Sequence, residues 1–331
     1  MSDVPVSGAG ATVGRSLRVG LLVRRLGHVG LPVLVVVAGI VALWYLACIP
    51  MNAAQSALDA ERAGAALSTT AADRRTMSGW AVAARHPGAA IGGAFDQERP
   101  RLPAPHQVAA ELWDGIFGQG VTSKRSLVFH AGITLGPTLL GFAIGSGLGI
   151  LLAIGIVHSR VMDLSVMPWA IASQTIPILA LAPMIIVVLA SIGLTGLVPK
   201  AIISAYLSFF PVTVGMTKGL RAPSAADLDL MRTWNASPAR TLRSLRLPSS
   251  LPYLFASLKI AVAAALVGAI VGELPTGAVR GLGARLLAGS YYGQTVQIWS
   301  ALFAAAIAAA LLVGAIAVIE RVTVRAMGLG R

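Results

Sequence analysis

Charged residues are scarce in this chain of 331 residues, making up 12% of it against 56% hydrophobic residues. A soluble domain usually carries about a quarter charged residues, so the composition argues against a water-soluble globule. Four long stretches contain no Asp, Glu, Lys or Arg, and each can hold the ~20 apolar residues that cross a bilayer as a helix. These stretches are residues 26–58, 126–159, 164–199 and 286–319.

Cysteine and paired histidines are lacking as well. Cys48 is the only cysteine, which excludes an internal disulfide and a cysteine-based metal cage. The five histidines are scattered, with no two of them three or four residues apart, so we predict no metal site. The chain has no Gly-x-x-x-x-Gly-Lys-Ser/Thr phosphate loop, and we therefore expect it not to bind ATP itself.

The apolar residues form six segments long enough to span a membrane, which predicts an all-α, polytopic helical bundle with about six transmembrane helices. The segments lie near residues 31–49, 131–157, 166–190, 197–217, 252–272 and 295–319. A cleaved signal peptide also begins like the first segment, but its apolar core is shorter, ~7–15 residues. The uncharged residues 164–199 must be divided, and Gly193, Gly196 and Pro199 supply the break.

The basic residues give an orientation, because short loops rich in Lys and Arg face the cytoplasm. The net charge of +13 is then explained by basic residues in cytoplasmic segments, and it does not indicate a nucleic-acid partner. We predict a cytoplasmic basic N-terminus at 1–29, a first transmembrane helix at 30–50, an extracytoplasmic insert at 51–100, an extracytoplasmic amphipathic helix region at 101–130, a transmembrane core at 131–319 with a cytoplasmic loop at 218–251, and a cytoplasmic C-terminus at 320–331.

Small residues and polar residues indicate two roles within the spans, close helix packing and a substrate pathway. Gly141, Gly145 and Gly149 are four apart, which strips one helix face of side chains and predicts close packing against a neighbouring backbone. In the third segment, prolines free backbone carbonyls that a membrane tolerates only beside protein or a water-filled cavity. A kink that only shapes packing is the alternative. The candidate residues of a substrate pathway are Gln174, Thr175, Pro177, Tyr206 and Phe210.

Two charges fall in or beside the fifth segment, where charge is costly and suggests a function. Lys259 can snorkel to the inner interface. Glu273 is the candidate for a gating or structural role, paired with Arg280 or Arg285, and direct contact with substrate is the alternative.

The loop after the fourth segment predicts two short helices that form a compact knob (residues 224–248). Ser224 and Asp227 suit the start of the first helix, and Asn235 suits a left-handed residue at its end. Pro238 restarts the chain as a second helix, which Pro248 should end. An apolar stripe of Leu228, Met231 and Trp234 would be available to a partner's groove.

This knob resembles the EAA loop of bacterial ATP-binding-cassette importer permeases. Counting back from the closing pair Leu247-Pro248, Asp229 stands at the Glu position, Leu230 and Met231 at the two alanines, and Asn235 at the glycine. Three further motifs resemble the nitrate, sulfonate and taurine permeases of this type: Leu102-Pro103-Ala104-Pro105, Ile176-Pro177 through Ala182-Pro183, and Glu273 followed by Gly281-Leu282-Gly283. The insert 51–100 departs from that family.

The resemblance implies a type I importer permease in the bacterial inner membrane, with both termini cytoplasmic. Two permease chains, identical or related, would form the path for a small solute such as a sulfonate, taurine or nitrate. An extracytoplasmic binding protein would deliver the solute. Cytoplasmic ATPase subunits would hold ATP and Mg²⁺ and grip the knob at Asp229, Leu230, Met231, Trp234, Asn235, Leu247 and Pro248. The chain itself would then be no enzyme and hold no cofactor.

Two other classes remain as alternatives. A self-sufficient secondary transporter or channel would need intramembrane carboxylates or inverted repeats; Glu273 is the one candidate carboxylate, and no repeat is evident. An integral membrane enzyme would need clustered catalytic side chains, which the sequence does not offer.

Overall fold

The computed structural model describes the backbone of residues 10–328 and the side chains of residues 31–328. Residues 1–9 and 329–331 therefore lie outside the described residues, as do the basic side chains of the predicted N-terminal segment 1–29. Within the described part the chain contains helices and no strand, which confirms the all-α prediction. It divides into two compact units, residues 1–107 and 108–331.

The helices in chain order are α1 Gly10–Arg62, α2 Ala71–Thr76, α3 Gly79–Arg85, α4 Pro87–Gly92, α5 Pro105–Trp113, α6 Leu127–His158, α7 Arg160–Ser173, α8 Ile178–Ser191, α9 Leu197–Leu220, α10 Ala225–Thr233, α11 Pro238–Thr241, α12 Leu247–Glu273, α13 Leu282–Tyr291 and α14 Thr295–Ala326. Two π-helical turns, Asp114–Gly118 and Leu242–Arg246, follow α5 and α11.

Five of the described helices are long and apolar enough to cross a membrane, and α7 with α8 makes a sixth span if the bent pair counts as one. This confirms a bundle of about six spans. The five are Leu31–Arg62, Leu127–His158, Leu197–Leu220, Pro238–Glu273 and Thr295–Ala326. The prediction of one helix over 166–190 is wrong, because α7 and α8 meet at 98°. Pro177 lacks a backbone donor and holds its predecessor out of helical geometry, so the helix breaks there.

The first unit is folded around the end of α1. Ala53 and Ala57 of α1 pack with Val82 of α3 and Ala90 of α4 in a small buried core. Asn52 is fully buried, and its Nδ2 donates to the carbonyl oxygens of residues 94 and 102 at 2.8 Å each. Most of the insert 51–100 therefore belongs to a compact helical unit.

In the second unit, α6, α9 and α12 pack along glycine-rich seams. A Cβ atom added at Gly141 would lie 2.4 Å from the Ala201 carbonyl oxygen, and one at Gly145 would lie 2.6 Å from the Ala205 carbonyl oxygen. Such distances leave room only for hydrogen, so the predicted close packing at these glycines is confirmed. Gly268 of α12 meets Ser204 of α9 in the same way.

The ends of the remaining helices are tied by ion pairs and apolar contacts. Lys259 of α12 lies 2.5 Å from Glu320 of α14 and forms an ion pair with it. Arg221, after α9, pairs with Asp163 of α7 at 2.9 Å. At the opposite end of α14, Leu127 and Leu282 form a buried cluster with Ala301.

Candidate functional site

The first half of the knob is fixed by caps at both ends of α10. The Ser224 hydroxyl accepts from the Asp227 amide at 3.2 Å, and the Asp227 carboxylate accepts from the Ser224 amide at 3.1 Å, a reciprocal capping box. Asn235 has a φ of +52°, the only positive value at a non-glycine residue in the described part of the chain. The Asn235 and Ala236 amides close the helix as a Schellman turn by donating to the carbonyls of residues 232 and 231. The predicted caps are confirmed.

The second half of the knob runs into the next span without a break. Ser237 caps α11, and the π turn at 242–246 leads directly into α12. The prediction that Pro248 ends this helix is wrong. The Leu247 amide donates to the Leu242 carbonyl, five residues back. This wider turn changes the backbone hydrogen-bond pattern at the position where the proline ring would otherwise clash with a carbonyl of the preceding turn. The knob is thus the continuation of a membrane span.

The apolar face of the knob differs from the predicted stripe. Met231 is buried at 8% exposure and Leu228 is half-buried, whereas Trp234 and Leu230 are 68% and 49% exposed. A cavity of about 240 Å³ lies beside α10 and is lined by Leu228, Arg232, Ala236 and other residues. The surface offered to a partner is therefore Trp234 and Leu230, beside the Asp229–Arg232 ion pair of 2.8 Å.

The broken span brings together three of the five predicted pathway residues. Gln174 caps the end of α7 and Thr175 follows it, while Pro177, with extended backbone, precedes α8. The Tyr206 hydroxyl of α9 donates to the Ser173 carbonyl at this end. Thr175 turns its hydroxyl back to the Ala172 carbonyl at 2.7 Å. The break thus places polar groups within an apolar span, and the Tyr206 hydroxyl forms a hydrogen bond with one backbone carbonyl there.

Phe210 lies half-buried one turn after Tyr206 on α9. Its spacing of four residues puts it on the same helix face as Tyr206. Pro177 and Thr175 are exposed in the single chain, and Gln174 is half-buried. The five residues therefore divide into the break, with Gln174, Thr175 and Pro177, and the α9 face, with Tyr206 and Phe210.

We expect Tyr206→Phe to loosen this break. The change removes the hydroxyl that satisfies the Ser173 carbonyl, and loss of one such hydrogen bond costs about 1 kcal/mol. Thermal unfolding of the purified chain should show a lower midpoint for Tyr206→Phe than for the control Tyr291→Phe, whose side chain is exposed. Equal midpoints for the two variants would mean that the hydrogen bond does not support the bend.

Glu273 lies at the far end of α12 from the knob and is fully buried. Its carboxylate accepts from the Thr134 hydroxyl at 2.9 Å and from the Gly283 amide at 2.7 Å. The predicted pairing with Arg280 or Arg285 is wrong: within the described residues neither arginine forms a salt bridge with it. The donors to the carboxylate come from α6 and from the start of α13 instead.

The same cluster holds the loop before α13. Thr134 accepts from the Leu282 amide at 2.9 Å, and His130 Nδ1 accepts from the Gly281 amide at 2.9 Å. His130 Nε2 lies 2.9 Å from the Lys124 carbonyl and can only donate to it, which fixes the tautomer. Gly281 has a φ of +123°, and a Cβ atom there would lie 2.4 Å from the Glu273 carboxylate. Any residue other than glycine at position 281 would therefore collide with this carboxylate.

The two arginines near the cluster have other surroundings. Arg280 lies over the Phe129 ring, 5.9 Å from its centroid. Arg285 is half-buried, and burial lowers the pKa of its guanidinium below its usual range while the Glu111 carboxylate raises it. Its Nη atoms lie 3.0 and 3.2 Å from the side-chain amide oxygen of Gln297 when that amide is oriented to accept.

The roles of His130 and Thr134 were not visible in the sequence. Both lie on α6, far along the chain from Glu273, and nothing local sets them apart from other polar residues of that span. Within the described residues no group of three or more His, Cys, Asp or Glu side chains is placed to hold a metal.

Comparison with known proteins finds a matching family for most of the second unit. The profile of a family described as "binding-protein-dependent transport system inner membrane component" matches residues 145–327. A Haemophilus influenzae protein named as a probable ABC transporter permease is 35% identical over 182 residues, 55% of this chain and 69% of that protein.

Two further relatives carry names that include a solute. The formylaminopyrimidine transport permease ThiX of Halalkalibacterium halodurans is 34% identical over 55% of this chain and 68% of its own length. The riboflavin transport system permease RibX of Chloroflexus aurantiacus is 30% identical over 68% of this chain and 80% of its own length.

Proposed function

The chain belongs to the family of binding-protein-dependent transport system inner membrane components, as a multi-pass permease subunit of an ATP-binding-cassette importer, and we propose that it forms the translocation pathway together with a second permease chain. An extracytoplasmic binding protein delivers the solute. A separate ATPase subunit supplies the energy, so ATP and Mg²⁺ are held by that subunit and this chain performs no hydrolysis.

The knob is the site at which the ATPase engages this chain. One observation carries this assignment: Trp234 and Leu230 are exposed on a helix whose two ends are both capped. Exposed aromatic and aliphatic side chains on a rigid helix suit a groove in a partner protein. Asp229 and Asn235 contribute by holding the charge pair and the left-handed turn, while Leu247 and Pro248 join the knob to α12. Met231 is buried and contributes to the packing of the knob.

The helix α12 links the knob to the Glu273 cluster. The 27 residues of α12 extend over ~40 Å at ~1.5 Å per residue. Movement of the knob by the ATPase would therefore displace the Gly281–Gly283 loop at the other end, since Glu273 and Thr134 hold that loop to α12 and α6. Glu273 acts in this proposal as a structural part of the gate.

The orientation we propose places the knob and both termini in the cytoplasm and the 51–100 insert outside. Its support is the excess of Arg and Lys in and around the knob, which itself contains Arg240, Arg243 and Arg246. In that orientation the Glu273 cluster lies at the extracytoplasmic end of the bundle.

The cargo we propose is a small solute that passes the break between α7 and α8. Gln174 and Thr175 offer an amide and a hydroxyl, and Tyr206 and Phe210 offer aromatic faces, a combination that suits a flat polar heterocycle. The names of ThiX and RibX refer to nitrogen heterocycles. Sulfonate, taurine and nitrate remain predictions from the motif resemblance.

We predict that Asn235→Val uncouples the ATPase. A β-branched residue at a φ of +52° is strained, so the end of α10 and the exposed Trp234 should shift. In a reconstituted complex, stimulation of ATP hydrolysis by loaded binding protein should fall about tenfold, as expected for a displaced interface anchor. Asn235→Gly is the matched control, because glycine accepts the left-handed turn.

Two results would contradict this assignment. Normal stimulation with Asn235→Val would show that the turn does not position the contact surface. Solute uptake by the purified chain alone, driven by an ion gradient and without any ATPase, would favour a secondary transporter instead.

A further inference from the structure

An apolar groove of about 340 Å³ lies between α6 and α14. Leu127, Ala131 and Leu135 form one wall and Ala304 and Ala308 form the other, while Ile116 of the first π turn borders it. Every residue that lines the groove is apolar. The alanines create the space, because their side chains are too short to fill the distance between the two helices.

The groove opens away from the protein. Val128, Ile307 and Leu311 along its rim are exposed, and both helices are long and apolar enough to cross a membrane. The medium outside the rim is then hydrocarbon. An empty groove would forfeit dispersion contacts along its walls, so a chain of methylene groups is the occupant that the surroundings supply.

The length of the groove fits one leaflet. Its walls extend over residues 127–135 of α6 and 304–312 of α14, which is ~12 Å on each helix at ~1.5 Å per residue. Half of a ~30 Å hydrocarbon core is ~15 Å. The groove therefore starts near the membrane surface at Leu127 and ends short of the bilayer centre.

Two cations precede the groove in the chain. Lys124 and Arg125 come three and two residues before the groove residue Leu127, and both are exposed. Within the described part of the chain, no salt bridge engages either side chain. Near Ile116 in the chain, the exposed rings of Trp113 and Phe117 lie with their centroids 4.5 Å apart, and such aromatic residues favour the membrane–water interface.

We propose that this groove binds an anionic phospholipid, with one acyl chain between α6 and α14 and the phosphate at Lys124 and Arg125. The lipid comes from the leaflet on the Leu127 side of the bundle. It would fill the space between the two helices beside the Leu127–Leu282 cluster. This assignment concerns lipid, and does not depend on which solute the permease carries.

The test measures lipid that stays bound to the full-length chain. The chain, with its ATPase partner, is reconstituted in vesicles of equal parts phosphatidylglycerol and phosphatidylcholine, extracted in mild detergent and analysed by native mass spectrometry. Wild type should retain phosphatidylglycerol in preference to phosphatidylcholine. Ala308→Phe fills the groove and should abolish retention. The control Leu151→Phe, at an exposed position of α6 outside the groove, should retain the lipid.

The headgroup is tested by Lys124→Gln combined with Arg125→Gln. Both side chains are exposed, so folding should not suffer, and the preference for phosphatidylglycerol over phosphatidylcholine should fall at least about tenfold because two surface cations are lost. Unchanged retention in Ala308→Phe, or an unchanged preference in the double variant, would overturn the proposal. Cysteine cross-linking of residue 128 to a second copy of the chain would overturn it too.

Discussion

Gly145→Leu is expected to prevent α6 from packing against α9, the largest effect of any single change considered. A Cβ atom at Gly145 would lie 2.1 Å from the Ser208 hydroxyl oxygen and 2.6 Å from the Ala205 carbonyl oxygen. Backbone atoms cannot move aside cheaply, so overpacking of this kind costs about 3 kcal/mol or more. Little of the variant should be extracted from membranes as monodisperse protein.

Gly147→Leu provides the matched control on the same helix. Gly147 is exposed, and a Cβ atom there would meet nothing within 4 Å. Leucine also has the higher helix propensity, so this variant should be extracted as well as wild type. Gly145→Ala adds a graded step, with a lowered unfolding midpoint expected. Equal behaviour of Gly145→Leu and Gly147→Leu would show that the α6–α9 seam does not determine stability.

Glu273→Ala is expected to destabilise the chain and to abolish transport. The change removes the acceptor for the Gly283 amide and for the Thr134 hydroxyl in a fully buried place. Buried donors without partners cost about 1–3 kcal/mol each, so a loss of about 3 kcal/mol in the free energy of unfolding is expected. The loop at Gly281–Gly283 should also lose its position above α6, and solute uptake should fall with it.

A double-mutant cycle separates this network from general damage. Thr134→Val removes the hydroxyl that joins Glu273 to the Leu282 amide. Combined with Glu273→Ala it should cost less than the sum of the two single changes, by about 0.5 kcal/mol or more. Glu98→Ala, at an exposed carboxylate, is the control and should leave stability and uptake unchanged. Additive costs would mean that Glu273 and Thr134 act separately.

Much of the local structure could be predicted from the sequence. The number of spans follows from long uncharged stretches, and the break near Gly193 and Gly196 is present with positive φ at both residues. The caps at Ser224 and Asn235 follow from short-range chemistry, since a cap depends on residues within one turn. The glycine-lined face of α6 follows from a spacing of four.

The partners of individual side chains could not be predicted in the same way. An arginine near Glu273 in sequence looked like its partner, yet the structure gives the carboxylate to Thr134, 139 residues away. Met231 looked available to a partner because its spacing matches Leu228 and Trp234, but the fold buries it. For Glu273 the deciding contact comes from another element.

The sequence alone thus determined the class of protein, the helices and the turns, because hydrophobic length, proline, glycine and caps act over a few residues. The tertiary structure decided that Trp234 and Leu230 face outward, that Pro248 lies within a continuous helix, and that Glu273 binds the start of α13. Those outcomes depend on which helix faces meet. Packing sets that choice for the whole bundle at once, through close contacts such as the one between Gly145 and Ala205.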